Sequence, residues 1–180
     1  MTKMTGRIEI PLSKKKLSLM LIGSIAFVAI GLWFIINPPT ISNPIFGNHI
    51  YLSVVGISSV LFFGICAIYI IAKLQDKKPG LIIDELGIID NSSGVASGQI
   101  LWTDIDSISV IEIYRQKIIL LKVTNPQDYL DKQISGFKRK MMSLNFKMYG
   151  TPLSIASNGL TTSFEELLSI ITDNFNANRQ

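Results

Sequence analysis

The 180-residue sequence has one cysteine, Cys66, and one histidine, His49. A single cysteine forms no intrachain disulfide, so nothing in the chain calls for an oxidising compartment. One histidine and one cysteine inside an apolar run do not make a zinc site. Two long stretches, Leu17 to Ile36 and Ile50 to Ala72, contain no Asp, Glu, Lys or Arg. Ion pathways and proton relays in membranes use buried ionisable groups, so this absence argues against a transporter or channel. The chain also lacks a Gly-x-Gly-x-x-Gly loop, a Walker-type Gly-Lys-Ser/Thr and a Gly-x-Ser-x-Gly elbow. Its carboxylates fall in short groups, Asp84/Glu85, Asp104/Asp106 and Glu165/Glu166, which read as turn or helix-start residues. With that list empty, the chain is expected not to be an enzyme and to need no cofactor, metal or catalytic residue.

What the sequence does have is hydrophobic length. The two uncharged runs are 20 and 23 residues long, each enough to cross about 30 Å of hydrocarbon at 1.5 Å per residue. Only a helix satisfies its own backbone there, so a transmembrane helical hairpin is predicted over 17–72, with helices 17–36 and 50–72. The intervening loop 37–49 carries no charge, whereas Lys14, Lys15, Lys16, Lys73, Lys77 and Lys78 flank the outer ends. By the positive-inside rule both termini are cytoplasmic and the loop faces outward. Pro38, Pro39, Asn43, Pro44 and Gly47 keep that loop non-helical. The first run is too long for a signal-peptide core and is followed by no small-x-small cleavage site, so it reads as an uncleaved anchor. Gly56, Ser59, Gly64 and Ala67 share one helical face that Gly23 and Ala26 would oppose. Packing within the hairpin and a homo-oligomer seam both fit that face.

Charge divides the chain further. Residues 1–78 hold eight Lys/Arg against two Asp/Glu, a balance of +6, and residues 79–180 hold nine against eleven, a balance of −2. The basic character therefore belongs to the membrane flanks and points to anionic headgroups, with no nucleic-acid partner expected. The tail 1–16 is either solvated or contributes an edge strand over 7–10, ended by Pro11. After a basic linker, 73–79, the pattern shifts to short apolar segments separated by turn residues. Strands are predicted at 81–83, 88–90, 99–103, 107–114, 117–124 and 153–156, with Arg115-Gln116 as the turn of a hairpin. A closing helix over 163–176 carries Phe164, Leu167, Leu168, Ile171 and Phe175 on one face, with Ser163 and Glu166 at capping-box spacing. The class is α+β.

Glu85-Leu86-Gly87-Ile88, followed by Gly98-Gln99-Ile100-Leu101-Trp102-Thr103-Asp104-Ile105, resembles the bacterial pleckstrin-homology-like pattern. Asn125-Pro126 before a helical stretch and Gly150-Thr151-Pro152 fit the same likeness. The whole chain is similar to small uncharacterised bacterial inner-membrane proteins with two N-terminal transmembrane helices and a domain of this kind. The resemblance implies a PH-like, mostly antiparallel β-barrel over 80–180, capped by a C-terminal amphipathic helix. It implies no reaction. Trp102, Asp104 and Ile105 are then fold-motif residues: Trp102 fills the barrel, and Asp104 either accepts its indole N–H or caps the next turn. The basic turn that phosphoinositide-binding relatives use is replaced here by Asp84-Glu85.

Residues 127–149 depart from the strand pattern. Ile134, Phe137, Met141, Leu144 and Met148 form a helical stripe in which Ser135-Gly136 offers a bend or break, and no acidic residue occurs from Gln133 to Tyr149. That stretch carries +4, leaving −6 on the rest of 79–180. Ile134, Phe137 and Met141 are expected to pack on the sheet. Lys138, Arg139, Lys140 and Lys147 are either merely solvated or face anionic lipid. The chain is thus expected to be a multi-pass protein of the bacterial inner membrane. It would hold a non-enzymatic binding or scaffolding domain at the cytoplasmic face, for lipid headgroups or a protein partner. A structural subunit assembled through the hairpin is the alternative.

Overall fold

A computed structural model describes residues 6–39 and 48–178. The loop residues Asn43, Pro44 and Gly47 lie outside the described residues. The chain forms two compact units, one over 14–77 and the other built from the residues before and after it.

The first unit is an antiparallel pair of helices, α1 (Lys14–Ile36) and α2 (His49–Gln75). Each outlasts its apolar run by a few residues at the lysine-rich end, because a helix gains backbone bonds past the point where hydrophobicity stops. Their lengths of 23 and 27 residues correspond to about 35 and 40 Å. Asn48 caps α2 by accepting from the Ile50 N–H. Where the helices meet, Gly31 and Gly56 face one another so closely that a Cβ on either would strike the other's carbonyl oxygen. Ser59 donates to the Phe27 carbonyl at 3.0 Å, and Phe27 stacks on Phe63 with ring centres 4.3 Å apart. The expected small-residue face is therefore half right. Gly56 and Ser59 lie in the seam, opposed by Gly31, while Gly23 and Gly64 meet nothing within 4 Å. Only 11% of each apolar window is buried, so both helices are long and apolar enough to cross a membrane and present most of that surface outward.

The second unit is α+β. Four strands, β1 (Ile8–Ile10), β2 (Leu81–Ile83), β3 (Gly87–Asp90) and β4 (Gly98–Leu101), form one antiparallel sheet in chain order. Three more, β5 (Ile105–Ile113), β6 (Gln116–Val123) and β7 (Leu153–Ile155), form a second. The tail before α1 is thus an edge strand: Ile10 pairs with Leu81, so α1 and α2 are inserted between two neighbouring strands. Leu12 continues past Pro11 to an isolated bridge with Leu160, and the Pro11 carbonyl accepts the Thr161 N–H. The expected barrel is not closed. The two sheets are separate: Leu12 and Leu160 pair only in an isolated bridge outside the strands, and the chain passes from β4 to β5 through a 3-10 turn at Trp102–Asp104. That turn ends β4 at Leu101, short of the predicted Thr103, because it aims the Trp102 ring inward.

Two further local features, the β5–β6 turn and the cap of the last helix, depart from expectation, and the break expected at Ser135-Gly136 is present. The β5–β6 turn is Tyr114-Arg115, one residue earlier than Arg115-Gln116, with φ of 47° and 65°. Both values are the left-handed ones that a two-residue turn needs to match strand twist, here without glycine. Residues 127–149 form two helices, α3 (Pro126–Asp131) and α4 (Gly136–Tyr149), parted before Ser135, which caps α4 through the Lys138 N–H. Helix α5 (Phe164–Asn178) closes the unit, with Ser163 accepting the Glu166 N–H. The Glu166 carboxylate accepts from Thr162 at 2.7 Å, so the predicted capping box is only half made. The core lies between the sheets and α5, where Ile83, Ile88, Ile100, Ile119, Leu121, Leu153, Leu167 and Ile171 are fully buried.

Candidate functional site: the outer face of α4

Helix α4 begins at its Ser135 cap and ends at Gly150, whose φ of 75° lets its N–H return to the Phe146 carbonyl. At 100° per residue, Phe137, Met141, Leu144 and Met148 fall on one face, and Met142, Phe146 and Tyr149 fall roughly 140° away. The second face is the one that packs. Met142 is fully buried, Phe146 and Tyr149 are half-buried, and Asn145 donates to Ser154 on β7 at 3.3 Å. The first face looks outward: Phe137 is 69% exposed, Met148 63%, and Ile134, just before the helix, fully exposed. Packing of Ile134 and Phe137 on the sheet is therefore corrected, whereas Met141, at the edge of the outward face, is half-buried. The sequence offered α4 two apolar faces, and β7 takes the one bearing Met142.

The four basic residues of this segment divide by what they touch. Arg139 binds Asp131 at 2.6 Å across the α3–α4 break. Lys138 sits near enough to the buried Asp90 to draw its carboxyl pKa down, although burial dominates and raises it overall. Lys140 and Lys147 form no salt bridge among the described residues, and they lie along one margin of the outward stripe. Lys14, Lys15, Lys16 and Lys73 gather at one end of the α1–α2 pair, where Lys73 approaches Asp76 at 3.7 Å. Lys77 and Lys78 follow, exposed, in the connection to β2.

The fold-motif residues are tied into structure. The Trp102 indole N–H donates to the Asp84 carbonyl at 2.8 Å, so Asp104 is not its partner. Asp104 instead accepts the Tyr129 hydroxyl at 2.7 Å, and its carbonyl accepts the Thr124 N–H. Burial, then the hydrogen bond to Asp104, raises the Tyr129 pKa well above the ordinary phenol value. Ile105 is buried at the start of β5, and Trp102 lies 6.4 Å from the Phe175 ring. The Asp84 side chain accepts the N–H groups of Leu86 and Gly87, and a Cβ at Gly87 would overlap the Ile100 carbonyl. Sequence reading missed the Tyr129–Asp104 pair, for which the Asn-Pro start of α3 was the only available signal. No group of three potential metal ligands occurs among the described residues. Comparison with protein-family models, curated proteins and solved structures finds no match to the chain.

Proposed function

We propose that the chain is a non-enzymatic, membrane-anchored binding or scaffolding module that presents a pleckstrin-homology-like domain at the cytoplasmic face of a bacterial inner membrane. The observation that carries this reading is the insertion of α1 and α2 between β1 and β2. Ile10 and Leu81 pair in one sheet, so the chain leaves and returns on the same side of any membrane it crosses. That requires an even number of crossings, and two uncharged helices supply them. In water the same helices would expose side chains such as Leu19, Ile22, Trp33, Leu61, Ile65 and Ile68, each worth about 2 kcal/mol of unrealised burial. The lysine-rich ends select the cytoplasm as the shared side. Four strands, then three, then a helix against the core support the PH-like assignment together with the Trp-x-Asp-Ile motif.

The test is thiol accessibility in a Cys66→Ser background. Asn48→Cys is expected to react with an impermeant maleimide in intact spheroplasts, and Asn178→Cys only after permeabilisation. Reaction of both in intact spheroplasts would overturn the topology. A second reading, a subunit assembled through its helices, is favoured by Gly23 and Gly64, which face open space. Disulfide crosslinking through Cys66 in native membranes would distinguish it.

A further inference from the structure

We infer that α4 is an interfacial membrane element. Its exposed side chains Phe137, Leu144 and Met148, with Ile134 just before the helix, enter the acyl boundary of an anionic leaflet, while Lys140 and Lys147 engage lipid phosphates. The inference rests on the reading that α1 and α2 cross the same bilayer.

Three observations select lipid as the occupant. First, the stripe is a convex helix face. Three exposed large side chains on a single helix, Phe137, Leu144 and Met148, with the fully exposed Ile134 just before it, form a ridge suited to insertion among acyl chains. Second, the charge beside the ridge is of one sign. Residues 133–149 contain four basic residues and no acidic one in a domain otherwise at −6, and the two lysines on the stripe's margin form no salt bridge among the described residues. An apolar ridge edged by lysine is the composition that anionic interfaces hold. Third, the chain keeps the domain within reach of that surface. Ser13 of the bridging segment is followed at once by α1, and residues 76–80 alone separate α2 from β2. Even weak insertion is then populated, because tethering replaces free encounter with a high local concentration. The break between α3 and α4, spanned by the Arg139–Asp131 pair, leaves Ile134 fully exposed just ahead of the helix.

The experiment uses the full chain carrying Cys66→Ser, reconstituted in nanodiscs of equal parts phosphatidylglycerol and phosphatidylcholine. A single cysteine at Met148, Asp173 or Ile25 carries an environment-sensitive fluorophore, and brominated lipid is the quencher. Met148→Cys is expected to be quenched about twofold, as a probe at the acyl boundary would be. Asp173→Cys on α5 should be unaffected and Ile25→Cys within α1 strongly quenched. Quenching at Met148→Cys should weaken in phosphatidylcholine alone, and equally so when Lys140→Gln and Lys147→Gln are added in the mixed lipid. Quenching at Ile25→Cys without quenching at Met148→Cys would overturn this inference alone. Absence of quenching at both would overturn the transmembrane reading with it. A blue-shifted but unquenched label at Met148→Cys would mean that protein covers the stripe, which also overturns the inference.

Discussion

Helices α4 and α5 are nearly equal in length, 14 and 15 residues, and each carries an apolar stripe at the same three-and-four spacing. In α5 the stripe is core: Leu167 and Ile171 are fully buried and Phe175 nearly so. In α4 three of the four stripe residues, Phe137, Leu144 and Met148, are exposed and Met141 is half-buried, while full burial falls on Met142 on another face. The difference lies in what surrounds each stripe. The remaining face of α5 is polar, with Glu165, Glu166, Ser169 and Asp173, so only one orientation buries hydrocarbon. Helix α4 has Met142, Phe146 and Tyr149 as a second apolar set, and the strand it meets chooses between them. A periodic stripe therefore fixes the face that seeks an apolar neighbour without saying whether that neighbour is the protein's own core.

The contrast yields graded predictions, each readable by Trp102 fluorescence in a Trp33→Phe background in mild detergent. Deleting residues 1–13 removes β1 and the buried side chains of Ile10 and Leu12, each worth roughly 1.5–3 kcal/mol. The second unit should then lose its cooperative unfolding transition. Leu167→Ala is expected to cost about 3 kcal/mol and lower Tm by roughly 10–20 °C. Tyr129→Phe should cost about 1 kcal/mol by removing a partly buried hydrogen bond to Asp104. Because the folded Tyr129 pKa is raised, its stabilisation is complete below the ordinary phenol value of 10.0 and lost as pH rises beyond it. The alkaline fall in Tm should therefore shrink in Tyr129→Phe. Asp90, also raised, contributes stability that is complete below its ordinary value of 3.8 and declines above it. Asp90→Asn, which keeps an acceptor for Ser92, should flatten that decline. The smallest effect is Leu144→Ala on the outer stripe, within about 0.5 kcal/mol, and a cost like that of Leu167→Ala would erase the contrast.

Much of this was legible in the residues. Uncharged length gave α1 and α2, and β-branched runs gave β2, β3, β5 and β6, because those signals are local. The site was legible in composition: the stripe and its lysines were read as a unit, but Ile134 and Phe137 were expected on the sheet and are exposed. What escaped depends on distant parts of the chain. The tail's alternation offered an edge strand over 7–10 as one of two readings, but its pairing with Leu81–Ile83 across more than sixty intervening residues leaves no local trace. Likewise Trp102 and Asp104, two residues apart, use different partners, Asp84 and Tyr129, because the 3-10 turn between β4 and β5 rotates them away from each other. The left-handed pair Tyr114-Arg115 was hidden for the opposite reason: the turn is local, but its residues are not those that favour such a conformation.

One measurement reaches the contrast between the two stripes directly. Hydroxyl-radical footprinting of the full chain in anionic nanodiscs reads Phe137, Met148, Phe175 and Tyr114 in a single sample. With α5's stripe in the core, α4's in lipid and Tyr114 in water, Phe175 should be protected, Tyr114 modified freely, and Phe137 and Met148 protected to near the level of Phe175. Phe137 and Met148 modified as readily as their exposure allows, alongside Tyr114, would contradict the account.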